Sequence, residues 1–220
     1  MKTVPLVFEE LPEAEMRGRA EAFFLKMRNR RSVREFSSRP VPREIIADCL
    51  RTAGAAPSGA NLQPWHFAAL GDPAMKRRLR EAAEAEERVY YAGRAPDAWL
   101  GSSAPTRPLL QKSFLDAAPW IIAVFARNTI TEANGTSRRT CFLQESVGVS
   151  CGFLIAALHE AGLATFVHAP SPAASLNEIC GRPAAEIPFL LIVAGYPATG
   201  ATVPANAAQR LPIETIVSWH

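Results

Sequence analysis

Three groups of residues in this chain combine types and spacings that could do chemistry. Arg30-Arg31-Ser32-Val33-Arg34 places three guanidinium groups and a hydroxyl within five residues. Guanidinium forks bind phosphate bidentately, and a serine adds a neutral donor, so the run suits an anionic ligand. A solvated basic helix end has the same composition. Pro57-Ser58-Gly59-Ala60-Asn61 is a small-residue turn that lets backbone approach a flat ligand closely, or simply ends a helix. Glu87 and Tyr91 stand at i, i+4 and would share a helix face, with Lys112 following 21 residues later. A carboxylate, a phenol and an ammonium brought together would grip a zwitterion; apart, they are ordinary surface charges.

Composition bounds what these residues can serve. The chain has 220 residues, enough for one sizeable core, and we expect a single domain over 1–220. Hydrophobic content of 48% and charged content of 20% are those of a globular protein. A net charge of +3 with 8% aromatic residues and no basic stripe argues against a nucleic-acid partner. It suits an anionic cofactor or a phosphorylated electron donor. Cys49, Cys141, Cys151 and Cys180 include no CxxC pair, so buried free thiols in a reducing compartment are expected. Met1-Lys2-Thr3-Val4-Pro5 meets Glu9-Glu10 before any apolar run, unlike a signal peptide. The most apolar helical stretch, 146–158, is too short to cross a bilayer. The expectation is a cytoplasmic protein with no membrane contact. His66, His159 and His168 are too scattered to read as metal ligands, and no metal is expected.

The elements that must position these groups follow from periodicity. Helices are predicted at 13–29, from 43 to about 53, at 73–91, at 139–161 and near 174–180; strands at 66–70, 119–126, 163–167 and 189–195. The basic run lies just past the first helix, and the small-residue turn just past the second. Residues 92–108, rich in Pro, Gly and Ser, read as a surface linker or a mobile lid. Gly148 and Gly152 at i, i+4 suggest close packing of the 139–161 helix on another helix, of this subunit or of a second one. Strands and helices do not alternate regularly and no GxGxxG is present, so an α+β architecture is expected over a Rossmann sheet.

Arg30-Arg31-Ser32-Val33-Arg34-Glu35-Phe36, Pro57-Ser58-Gly59, Gln63-Pro64-Trp65-His66-Phe67, Ala118-Pro119, Ala161-Gly162-Leu163, Gly181-Arg182-Pro183 and Gly195-Tyr196-Pro197 together resemble the flavin-dependent nitroreductase superfamily. The resemblance runs from Phe24 onward. It implies a central mixed sheet surrounded by helices in an intertwined homodimer with exchanged extended termini, binding one FMN per subunit at the interface. Arg30, Arg31, Ser32 and Arg34 would hold the phosphate and ribityl chain. Pro57 would line the cofactor site, Ser58 and Gly59 would come from the partner, Asn61 would contact the flavin ring, and Arg210 would return to the phosphate.

Glu87, Tyr91 and Lys112 resemble the substrate triad of the iodotyrosine deiodinase branch, carried on a lid at about 86–112. Ala60 would then offer its backbone N–H to the substrate phenolate. The reaction implied is FMN-dependent reductive dehalogenation of a halotyrosine, releasing halide and tyrosine, with NAD(P)H as donor and chemistry on FMN rather than on a catalytic side chain. One position departs from the branch: Ala169 stands before Pro170 where a threonine usually faces flavin N5, leaving the Ala169 backbone N–H or His168 for that place. Ala169 and Asn61 favour an alternative, a general NAD(P)H-dependent nitroreductase or quinone reductase acting on nitroaromatics or halophenols. A flavin store without turnover is a third reading.

Overall fold

A computed structural model describes residues 3–93, 111–131, 135–168 and 175–220, apart from the side chains of 90–93. The chain divides into an N-terminal unit ending at Arg30 and a second unit from Arg31 to His220. The first unit carries one helix, α1 (Glu13–Arg28), preceded by Pro12. Glu13 and Glu15 at its start and Lys26 and Arg28 at its end complement the helix dipole. None of its residues is buried, and Phe23, Phe24 and Leu25 face outward.

The second unit is built on a four-stranded sheet. Its strands are β1 (Trp65–Leu70), β2 (Trp120–Arg127), β5 (Ala164–His168) and β6 (Glu186–Gly195), in the order β1-β2-β6-β5. Every pairing between these strands is antiparallel. The sheet, expected to be mixed, is therefore antiparallel; beside it, Ser32 makes an isolated parallel bridge with Thr165 on the outer edge of β5. The order explains why strands and helices do not alternate in sequence.

Alternation along β2 decides the layering. Ile122, Val124 and Ala126 face one core with Ile192 and Ala194 of β6, under α2 (Arg43–Gly54) and α5 (Leu143–Glu160). Ile121, Ala123 and Phe125 face a second core with Leu191 and Val193, under α3 (Pro73–Gly93), α4 (Ser113–Ala117) and α6 (Leu176–Ile179). Both faces are covered, so β2 is buried along most of its length and reads as a continuous apolar run. In α2, Ile46, Cys49 and Ala53 form the inward stripe, and Pro42 starts the helix because it needs no N–H partner. Ser150 of α5 donates to the Ala53 carbonyl at 2.7 Å, locking α5 to the last turn of α2.

Two expectations need correction. The central helix begins at Leu143 rather than 139, because Ser137–Arg139 (β4) pairs with Thr129–Thr131 (β3) in a short hairpin. Thr140 then donates its N–H to Asn128 at 2.8 Å, and Phe142 adopts φ 51° before the helix starts. The cysteines are all free, but only Cys49 and Cys151 are buried; Cys180 is half-buried and Cys141 is exposed. Burial pushes the Cys151 thiol up to about 12 and that of Cys180 to about 11. Gly148 and Gly152 leave the outer face of α5 open: among the described residues a Cβ on either would meet nothing within 4 Å, so no helix of the same copy packs there. The tail beyond β6 carries a short turn at Ala205–Ala208 and α7 (Ile213–Ile216), with Leu211, Ile213, Ile216 and Trp219 exposed. Among the described residues no helix is long and apolar enough to cross a membrane.

Candidate functional site

The basic run is held against the outer edge of β5. Val33 donates its N–H to Thr165 at 3.1 Å, and Ser37 donates to Tyr196 at 2.9 Å, so 32–37 runs along the sheet. Arg34 places its guanidinium 4.5 Å from the centroid of the Phe166 ring. His168, two residues on and therefore on the same face, stacks on Phe166 at 6.1 Å, and Phe114 meets both rings edge-on. The His168 Nε2 is buried without a hydrogen-bond partner among the described residues. Burial, reinforced by the charge of Lys112, lowers its pKa to about 4, so the ring is neutral at pH 7. Arg31, Ser32, Arg34 and His168 thus share one edge. Arg30 closes the N-terminal unit, its N–H bonded to Met27 at 3.1 Å.

The small-residue turn is a strained loop. Ser58 accepts the Gln63 N–H on its Oγ at 2.9 Å and the Asn61 N–H on its carbonyl at 3.0 Å. Asn61 in turn accepts from Gln63 Nε2 at 3.2 Å. Gly59 donates to Ser146 Oγ at 3.2 Å and lies so close to Cys141 that a Cβ would sit 2.8 Å from its carbonyl oxygen. Ala60, Asn61, Gln63 and Phe142 are the left-handed non-glycine residues among those described, and all four cluster here. Each costs roughly 1–2 kcal/mol, a density of strain typical of sites where backbone must face a ligand. Pro57 leads into the turn and is exposed.

The third group does come together. Lys112, only 1% exposed, pairs its Nζ with the Glu87 carboxylate. Sequence spacing did not reveal the surrounding network. Glu84 Oε1 accepts the Lys112 backbone N–H at 2.8 Å, and Arg80 bridges Glu84 at 3.0 Å to Asp116 at 2.6 Å. Lys76 donates to the Ala118 carbonyl at 2.7 Å, fixing the next turn. Tyr91 lies one turn beyond Glu87 on α3, but its side chain is outside the described residues, as are Ala169 and most of the expected lid. Arg210 donates to the carbonyls of Ala207 and Gln209, both at 2.7 Å, within its own tail.

These groups occupy different edges of the sheet. The strained turn feeds β1, whereas Ser32 and His168 belong to the β5 edge, three strand spacings or about 14 Å away. An open groove of about 900 Å³ between α2 and β1, walled by Val41, Ile46, Phe67 and Trp120, contains none of the expected site residues.

A family model described as the nitroreductase family matches residues 27–196. The iodotyrosine deiodinase of Haliscomenobacter hydrossis is 44% identical over 201 residues, spanning 91% of this chain and 90% of that protein. Human iodotyrosine deiodinase 1 is 37% identical over 215 residues, 97% of this chain and 74% of the human one. In three dimensions the chain is similar to oxidized iodotyrosine deiodinase bound to FMN and 3-iodo-L-tyrosine, with a TM-score of 0.68, 27% identity, and coverage of 80% and 90% of the two chains. It also shares the fold of the FMN-dependent nitroreductase NfnB from Mycobacterium smegmatis in complex with NADPH, at TM-score 0.67 and 22% identity, over 91% and 99% of the chains.

Proposed function

Because the chain belongs to the nitroreductase family, in its iodotyrosine deiodinase branch, we propose that it reductively dehalogenates halotyrosines with FMN, as a homodimer. The observation that carries the reading is the buried Lys112–Glu87 pair beside His168 and the Arg31–Arg34 edge. It joins a zwitterion-binding pair to an edge suited to a phosphate-bearing aromatic cofactor.

The residues present fit FMN. Arg31, Ser32 and Arg34, with Arg30, would take the phosphate and ribityl chain; the orphaned His168 Nε2 offers a polar contact that burial otherwise makes costly. Pro57, Ser58, Gly59 and Asn61 would approach the ring from the partner, and Arg210 would reach the phosphate end. FMN held there, with NAD(P)H as its donor, would supply the two electrons that, with one proton, exchange the ring carbon–halogen bond for carbon–hydrogen and release halide.

The chain's own groups recognise and orient the substrate. Glu87 takes the α-ammonium, Lys112 and Tyr91 the α-carboxylate, so the pair seen here is exchanged for two contacts to the zwitterion. The Ala60 N–H, in the strained turn, would meet the phenolate, favouring halotyrosine over tyrosine because an ortho halogen acidifies the phenol. Neutral His168 adds no positive charge beside Lys112.

Two observations support a dimer. The two motifs proposed to cradle the cofactor lie at opposite edges of one sheet, so a single copy would leave the site incomplete. The outer face of α5 is open at Gly148 and Gly152 and exposes Val149 and Phe153.

The purified yellow protein, titrated with iodo-, bromo- and chlorotyrosine while flavin fluorescence is followed, should be quenched tightly by all three and not by tyrosine. Absence of halotyrosine binding alongside turnover of nitroaromatics would refute the reading. Asn61 and Ala169 favour the second reading, a general NAD(P)H-dependent nitroreductase, in which Glu87→Gln and Lys112→Ala would leave nitroaromatic reduction intact.

A further inference from the structure

Lys112 is gripped twice by one face of α3. Glu84 and Glu87 stand at i, i+3 and therefore point the same way. Glu87 takes the Lys112 ammonium, while Glu84 takes its backbone N–H at 2.8 Å. The Lys112 carbonyl is also engaged, accepting the Leu115 N–H at 2.9 Å as α4 begins. The main chain of Lys112 is thus fixed on both sides independently of what its Nζ binds. Glu84 is itself held: its other oxygen accepts from Arg80 at 3.0 Å, and Arg80 is anchored to Asp116 at 2.6 Å.

We propose that Glu84 is a positioning residue for zwitterion recognition, resting on the function proposed above. A halotyrosine must draw Glu87 and Lys112 apart, its ammonium replacing Lys112 at Glu87 and its carboxylate replacing Glu87 at Lys112. With the Lys112 backbone clamped by Glu84, that exchange needs only side-chain rotation about a fixed Cα. Without the clamp, the ligand must also order the backbone that carries Lys112, and affinity drops. Arg80 keeps Glu84 in the rotamer that leaves Oε1 for the Lys112 N–H. A ligand with no amino-acid end never calls on Lys112, so its affinity does not depend on Glu84.

The test compares 3-iodotyrosine with 2-iodophenol on the FMN-loaded protein, reading Kd by flavin fluorescence. Glu84→Ala should weaken iodotyrosine about tenfold, the weight of one charge-assisted hydrogen bond. It should leave iodophenol and FMN affinity within about twofold of the wild type. Glu84→Gln keeps one acceptor oxygen but sets an amide NH2 against Arg80, so it should recover iodotyrosine binding only in part, to a loss between that of Glu84→Ala and the wild type. In a Lys112→Met background, Glu84→Ala should have no further effect on iodotyrosine. Equal losses for both ligands, or no loss for iodotyrosine, would overturn the role given to Glu84. If Glu84→Ala does not fold, Arg80→Gln serves instead: a loss confined to iodotyrosine supports the proposal, and a loss shared by iodophenol overturns it. A wild type that binds no halotyrosine overturns the proposed function itself, and the two failures are told apart by that first titration.

Discussion

The Glu87–Lys112 pair is asymmetric, and the asymmetry is measurable as stability. The Lys112 side chain is 2% exposed and that of Glu87 18%. Glu87→Gln leaves an ammonium buried with its countercharge gone. Breaking a buried pair this way costs about 3–5 kcal/mol, and the partial exposure of Glu87 puts the expected loss at the lower end, about 3 kcal/mol. Lys112→Met removes the deeply buried charge, fills most of its volume and leaves Glu87 with a route to water, for about 1 kcal/mol or less. The double variant has neither charge and should lose about 1 kcal/mol or less, so the cycle carries a coupling of about 2–4 kcal/mol. Urea unfolding of the FMN-saturated protein, followed by tryptophan fluorescence and far-UV circular dichroism, gives the four free energies. Iodotyrosine affinity should fall in all three variants, including the stable double one, which separates recognition from folding. Equal losses in the two single variants, or a coupling below about 0.5 kcal/mol, would refute the buried-pair reasoning.

Three further outcomes follow from other parts of the molecule. Gly59→Ala brings a Cβ to 2.8 Å from the Cys141 carbonyl, so the strained turn must shift; thermal unfolding should show a loss of about 1–3 kcal/mol, with weakened FMN retention on gel filtration. Phe153→Glu puts a charge on the open face of α5; if that face pairs two copies as proposed, light scattering should report about twice 23.9 kDa for the wild type and a mass near 23.9 kDa for the variant. His168 has a folded pKa of about 4 against an ordinary 6.5, so the unfolded chain binds the extra proton between those values. Its contribution to stability is therefore complete above pH 6.5 and lost as pH falls towards 4, and His168→Gln should flatten that part of the urea-midpoint profile.

Local pattern carried much of the fold. Pro42 followed by Ile46, Cys49 and Ala53 marks α2 from its first residue to its buried stripe, and the continuous apolar run around 120–126 marks β2 as a strand covered on both faces. The start of α5 was illegible because Arg139 fits a helix as well as a strand; the pairing of Ser137–Arg139 with Thr129–Thr131 decides the matter, and pairing is not a local property. The strain in the 58–63 turn was hidden for a different reason. Ala60, Gln63 and Phe142 are poor left-handed residues, so nothing in their identity announces the conformation; it is imposed by hydrogen bonds to Ser58 and by close contact with 141–142. Glu84 and Arg80 looked like a solvated i, i+4 pair on an alanine-rich helix, and only the return of the chain at 112–116, about 28 residues later, gives them their long-range partners.

Strand order also changes what the two best motifs mean. Read along the chain, Arg31–Arg34 and Ser58–Asn61 look like neighbouring walls of one cradle. The order β1-β2-β6-β5 instead sends the first to the β5 edge and leaves the second at the entrance to β1. A flavin held by both must then be held by two copies. The apolar outer face of α5, which begins at Phe142 beside that turn and exposes Val149 and Phe153, is the surface on which the second copy would bring its own turn to the first copy's Arg31–Arg34 edge. Cofactor retention and dimerisation are on this reasoning one equilibrium, so dilution below the dimer dissociation constant should release FMN in step with the fall in mass.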